Sequence, residues 1–306
     1  MLGINDTTIE LWLLNCMLAY SAFAVLTGGS FTLAYVAFVA VGAYTAGIGS
    51  VDHGWSLPQE MVVAPLLAGL AALVIARPLE RLSGVYLSIA SVGVVGLLQV
   101  LLLNLDGLTG GAIGITGIDP PIGIGLLAAC VAILALILRQ LQVSNFGRAI
   151  RMTRVDPLVA GAMGVNVGRL RLWLFVLSAV IGAEAGVLRG HYFGLVTPDE
   201  YGFTTVVQLL AMVIIGGVGS WLGPLIGAAV FTLLPEWLRS FGDWREVVTG
   251  VLLLVIIIVS REGLVGAART QWHRRRHRRG VADDAAADPP PATSLNGALA
   301  GGEEDR

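Results

Sequence analysis

Residues 139–171 read RQLQVSNFGRAIRMTRVDPLVAGAMGVNVGRLR, with a strongly apolar span on either side. Six arginines (139, 148, 151, 154, 169 and 171) stand against a single acid, Asp156. Loops between membrane helices are usually short, and basic loops stay on the cytoplasmic side. A loop this long and basic therefore orients the spans around it. Within it, Asp156-Pro157 marks a helix start. The Asp carboxylate accepts from free N–H groups of the first turn, and proline fits the first helical position. Gly164 supplies the stop. The intervening PLVAGAM predicts about two helical turns over 157–163, unstable without a surface to lie on. Ala160, Gly161 and Ala162 are small enough to admit another backbone. Leu158 shares a face with Ala162, and Val159 shares one with Met163. With Gly147, Arg148, Arg151 and Arg154 leading into it, the segment is expected to dock a cytoplasmic partner. The alternative is a solvated hairpin held by lipid headgroups.

Composition places this loop in a polytopic membrane protein. Apolar residues make up 56% of the 306 and charged residues 13%, where soluble domains carry roughly 25% charged. The mean hydropathy is +0.80. Glycine, at 40 residues, is about twice its usual level of roughly 7%, which suggests closely packed membrane helices.

About 20 apolar residues cross the hydrocarbon core at 1.5 Å per residue. That rule predicts an all-α protein with nine spans, within a range of eight to ten. They fall near 9–27, 30–49, 60–77, 84–103, 120–138, 170–190, 203–217, 221–238 and 245–260. The seventh and eighth are short and divided only by a glycine turn, so they can be partly re-entrant. With the N-terminus outside, fifteen arginines fall on inside segments and three (189, 239 and 245) outside. The expected topology is N-out and C-in, with a membrane domain over 1–266. Residues 267–306 change character: WHRRRHRRG reads as a juxtamembrane anchor for anionic lipid. The Ala-, Pro- and acid-rich tail after it cannot bury enough apolar surface to fold alone. The first apolar span lacks a basic leader and a small-residue cleavage site, so it is expected to be a retained helix.

All 19 basic residues are arginine. Without lysine there is no GxxxxGK[ST] phosphate loop and no Schiff-base chemistry. Cys16 and Cys130 lie in separate spans, which suits neither a disulfide framework nor a metal site. No metal is expected, and catalytic residues are expected to be absent.

A few residues within the spans invite a role. Glu184 lies in the middle of one, where a carboxylate costs about 2.5–3.5 kcal/mol. It either lines a pathway and meets a substrate amine or is packed and neutralised; Arg189 is imperfectly placed to pair with it. Thr109, Gly110, Gly111 and Gly114 form an irregular turn that either lines a cavity with free N–H groups or is an ordinary external turn. Gly182, Gly186 and Gly190 form a stripe at i, i+4, i+8. Gly219, Gly223 and Gly227 repeat that spacing, and both stripes predict helix–helix contact. His191 and Tyr192, at an outer end, either face an extracytoplasmic partner or act as interfacial anchors.

The ordered motifs of the chain resemble a known family. FGRAIRMTRVDPLVAGAMGVNVGRLRLWLFVLSAVIGAEAGVLRGHYFGLVTPDEY (146–201), LLAMVIIGGVGSWLGPLIGAAVFTLLPEWL (209–238) and REGLVG (261–266) look like the branched-chain amino acid ABC importer permeases, the LivH/LivM family, on its LivM-like side. FVAVGAYTAG, GVYLSIASVGVVGLL and LTGGAIGITGI fit the same pattern upstream. The resemblance covers roughly 25–266. It implies a permease subunit that moves Leu, Ile or Val across a bacterial inner membrane. Its expected partners are a sibling permease, two cytoplasmic ATPase subunits carrying Mg-ATP, and a solute-binding protein. The helix at 157–163 would then be the coupling helix. A urea or short-amide permease is the close competitor within the family. An ion-coupled transporter would need more intramembrane carboxylates, and a membrane-embedded enzyme would need catalytic arrangements that the four scattered histidines do not offer.

Overall fold

The computed structural model describes residues 6–118 and 122–238, together with Gly250 and Gly263. The expected ninth span (245–260) and the tail (267–306) lie outside the described residues. What is described is almost entirely helical. Among the described residues six helices are long and apolar enough to cross a membrane: α1 (Asp6–Leu26), α2 (Tyr35–His53), α3 (Leu57–Leu79), α4 (Val85–Asn104), α6 (Ile124–Val143) and α9 (Val167–Phe193). A four-residue turn, α5 (Asp106–Thr109), follows α4.

The seventh and eighth expected spans are α10 (Phe203–Gly216) and α11 (Gly223–Trp237), of 14 and 15 residues. At 1.5 Å per residue each reaches only about 21–23 Å, short of a roughly 30 Å hydrocarbon core. The pair forms a tight hairpin.

α1, α2 and α9 form the centre. None of the three confines its apolar residues to a single stripe, and each is buried along much of its length, as expected of helices with helices all round them. α9 packs against α1, α2 and α3, while the α10–α11 hairpin and α6 pack on α1. Reciprocal hydrogen bonds lock α1 to α9: Ser21 Oγ donates to Ser178 O (2.9 Å) and Ser178 Oγ to Ser21 O (2.8 Å). Tyr35 OH reaches from α2 to Val206 O of α10 (2.8 Å). α1 holds α11 through Trp12 Nε1 to Leu225 O and Asn15 Nδ2 to Thr232 Oγ1.

Glycine sets the closest approaches. A Cβ on Gly186 would lie 2.1 Å from Val39 O, and one on Gly182 would lie 2.9 Å from Ser21 Oγ. Gly190 meets Val196 and Ala43 at ordinary or slightly tight distances. All three glycines of the first stripe face neighbouring elements, Gly182 and Gly186 at less than 3 Å. The second needs a correction. Gly219 lies in the turn between α10 and α11, with nothing within 4 Å of where its Cβ would be. Pro224 fixes the start of α11 at Gly223, so the helical register that would align Gly219 never forms. Gly223 and Gly227 do pack, against Gly217 O (2.1 Å) and Met212 O (1.8 Å), and Gly216 takes the missing place against Gly223 O.

Candidate functional site

Residues 139–171 are more ordered than their composition suggests. Arg139 ends up inside α6, Arg169 and Arg171 inside α9. Between those helices lie α7 (Asn145–Val155) and α8 (Pro157–Ala162). The reading of a single mid-loop helix missed α7. Its signal was Ser144, whose Oγ accepts from Gly147 N at 3.4 Å to cap the helix. Gly147 is buried in the α6–α7 corner, where a Cβ would sit 2.4 Å from Gln142 O. It sets the direction of α7 and offers no outward face.

The bounds of α8 follow the local chemistry. Asp156 Oδ1 accepts from Leu158 N (2.8 Å) and Val159 N (3.2 Å). At the other end Gly164 adopts φ +85°, Val165 N donates to Ala160 O (3.0 Å), and Gly164 N to Gly161 O (3.0 Å). These two bonds are the paired stop of a Schellman motif, whose left-handed residue favours glycine. Only the buried Ala160 faces inward. Leu158 is 84% exposed and Val155 88%; Val159 and Met163 are also exposed. Gly161 has open space above it, and Ala162 is exposed beside it. A short helix thus displays an apolar knob on the outside of the molecule.

Its arginines brace the segment. Arg148 donates to Asn145 Oδ1 and Arg151 Nη1 to Gln142 O (2.8 Å). Arg154 Nη1 donates to Val218 O in the α10–α11 turn (3.3 Å), and a Cβ on Gly29 would come within 3.3 Å of Arg154 Cα. Trp221 N in turn donates to Gln142 Oε1 (3.1 Å). The segment is thereby tied to both the α1–α2 and the α10–α11 connections.

The other expected residues lie elsewhere. Glu184 is half-buried in α9, and its Oε2 is buried without a hydrogen-bond partner. Arg189 turns away from it, with Nε 3.4 Å from Glu200 Oε2 and the guanidinium over the Phe193 ring. Thr109 Oγ1 is used internally, donating toward Leu102 O (2.6 Å) and Leu105 O (2.9 Å). Gly110, Gly111 and Gly114 take positive φ. Cβ atoms there would strike Gly114 O, Asp106 Oδ1 and Val196 O within 2.2 Å. This turn leads into β1 (Ile115–Thr116), antiparallel to β2 (Leu195–Val196), which pins it to the end of α9.

His191 is buried rather than presented outward. Its Nε2 lies 2.5 Å from Oε2 of Glu60, a carboxylate with no solvent exposure at the start of α3. Sequence reading missed Glu60. Its place in the first turn after Ser56-Leu57-Pro58 resembles an ordinary helix start, and only the packing of α3 on α9 brings it to His191. Among the described residues no group of three or more His, Cys, Asp or Glu side chains could hold a metal.

Among the described residues six membrane-length helices, a shorter hairpin and one short helix with exposed apolar side chains make a multi-pass helical membrane protein. Residues 15–260 match the branched-chain amino acid transport system / permease component family, and the chain belongs to it. It is 27% identical over 277 residues to the high-affinity branched-chain amino acid transport system permease protein LivM of Escherichia coli K12, covering 79% of this chain and 65% of that protein. The chain thus spans just under two thirds of LivM. It is 29% identical over 128 residues to LivH of the same organism, covering 41% of each. The autoinducer 2 import system permease protein LsrC of Enterobacter sp. is 23% identical over 263 residues, covering 79% of this chain and 74% of LsrC. No solved structure matches.

Proposed function

We propose that this chain is a transmembrane permease subunit of an ATP-binding cassette importer for branched-chain amino acids. It sits in a bacterial inner membrane, N-terminus out and C-terminus in. It works with a sibling permease, two cytoplasmic ATPase subunits and an extracytoplasmic solute-binding protein. Mg-ATP belongs to the ATPases, in keeping with a chain that has no lysine for a phosphate loop.

The observation that carries this reading is α8. A short capped helix that exposes Leu158 and Val159, flanked by exposed Val155 at the end of α7 and Met163 just past α8, leaves apolar surface that water does not favour. A groove on an ATPase subunit covers it. Closure of the ATPases then pushes α8, and the Arg154 and Gln142 ties pass that displacement to the α1–α2 and α10–α11 connections. Glu184 and the turn at Thr109–Gly114 are the residues proposed to meet the pathway. In proteoliposomes holding the whole assembly, labelled leucine uptake should require internal ATP and the solute-binding protein and survive an uncoupler. Uptake that persists without ATP and collapses with the uncoupler would identify an ion-coupled transporter instead.

A further inference from the structure

A cavity of about 90 Å³ opens at the end of the bundle that carries α7 and α8. It lies among the α1–α2 connection, the end of α3, the start of α4 and the start of α9, and its polar lining is unusual. Thr32 is 3% exposed and Ser30 9%, yet Thr32 Oγ1 and Ser30 Oγ have no hydrogen-bond partner. Buried hydroxyls in native proteins are nearly always satisfied. Arg171 lines the same cavity, and its Nε is likewise buried and unpartnered. Glu80 lines it as well. Among the described residues neither Arg171 nor Glu80 has an ion-pair partner within 4 Å, so the cation and the anion do not neutralise each other. The remaining wall is apolar and includes Leu87 and Phe175.

We infer that this cavity is a binding site for a free aliphatic α-amino acid on the ATPase-facing side. Arg171, with the Ser30 and Thr32 hydroxyls, takes the carboxylate. Glu80 takes the ammonium, and Leu87 and Phe175 take the side chain. A water needs roughly 10–15 Å³ of such space, so the cavity holds about six to nine water-sized groups, the scale of leucine's nine heavy atoms. One opposite charge for each end of a zwitterion distinguishes this site from a phosphate or fatty-acid pocket, where a lone carboxylate like Glu80 would repel the ligand. Because the site is on the α8 side, it is a release-side station: the imported amino acid pauses there, and cytosolic amino acid can reoccupy it. The ligand class rests on the proposed function.

The test is equilibrium binding of tritiated L-leucine to the purified permease–ATPase complex, without nucleotide and without solute-binding protein. Saturable binding is expected, with L-leucinamide and 4-methylpentanoate displacing it at least tenfold less well than L-leucine. Arg171→Gln and the near-isosteric Thr32→Val should each weaken it at least tenfold. No saturable binding from a complex that still performs ATP-dependent uptake would overturn the inference and leave the proposed function standing. Binding unaltered by both substitutions would place the ligand elsewhere and overturn it too. So would a copurifying phospholipid that is lost in both variants while leucine fails to bind. A complex without ATP-dependent uptake at all would instead remove the functional reading.

Discussion

Gly186→Ala adds a single methyl group where α9 lies closest to α2. The new Cβ would sit 2.1 Å from Val39 O and 2.8 Å from Ala43 N. Both neighbours are backbone atoms in a buried helix and cannot rotate away. Restoring contact at about 3.4 Å requires the two helices to part by roughly 1.3 Å locally. The displacement cannot stay local, because Ser21 and Ser178 tie α9 to α1 through bonds of 2.8–2.9 Å that are lost within a few tenths of an ångström. Overpacking of this kind costs about 1–3 kcal/mol, and loss of a buried hydrogen bond adds about 1 kcal/mol. The assay is the thermal melting midpoint of the purified permease in nanodiscs, with Gly161→Ala measured alongside. Gly161 has open space and sits within a helix, so alanine there removes a backbone-entropy cost of roughly 0.5–1 kcal/mol. Gly186→Ala should melt well below wild type and Gly161→Ala at or slightly above it. A Gly186→Ala protein as stable as wild type would refute the close α2–α9 contact from which the packing argument starts.

Further outcomes follow from the same geometry. Asp156→Ala removes the cap shared by Leu158 and Val159, about 1 kcal/mol, and Gly164→Ala forces alanine into φ +85° at a similar cost. Each should reduce ATPase copurification without lowering the melting point of the membrane domain. Glu184→Gln should alter uptake rate or substrate preference while the complex assembles normally; identical uptake kinetics would remove Glu184 from the pathway. Glu60→Leu removes the carboxylate that His191 Nε2 meets, and losing the partner of one buried polar atom costs about 1–3 kcal/mol. The melting point should fall, and His191→Leu on the same background should recover part of it. A Glu60→Leu protein with an unchanged melting point would count against the pair as a structural element.

Much of this arrangement is legible in the chain because local chemistry decides it. Asp156-Pro157 and Gly164 bracket α8 through bonds a single segment can make by itself. The Gly182–Gly186 spacing announces a close helix face because small residues at i, i+4 leave only one way to pack. What escapes is whatever depends on distant segments meeting. Glu60 is an unremarkable first-turn acid until α3 lies against α9. Gly219 satisfies a spacing rule, but Pro224 restarts the helix after it, and Gly216, at the end of the facing helix α10, takes the contact with Gly223. α7 was hidden by its polarity: an arginine-rich stretch reads as loop unless the Ser144 cap is noticed. The cavity lined by Ser30, Thr32, Glu80 and Arg171 draws on residues from three segments up to 141 positions apart, and no local pattern joins them.

The central claim, that α8 docks an ATPase subunit, is tested most directly by copurification with Leu158→Asp. Leu158 is 84% exposed in this chain, so the substitution leaves its fold untouched. Burial of a leucine against a partner contributes about 1.5–3 kcal/mol, and a carboxylate at the same place adds a desolvation cost. The variant should keep the wild-type melting point, lose its ATPase subunits on purification and lose ATP-dependent leucine uptake. Wild-type ATPase stoichiometry and normal uptake in Leu158→Asp would contradict the account and leave residues 139–171 as a braced cytoplasmic hairpin.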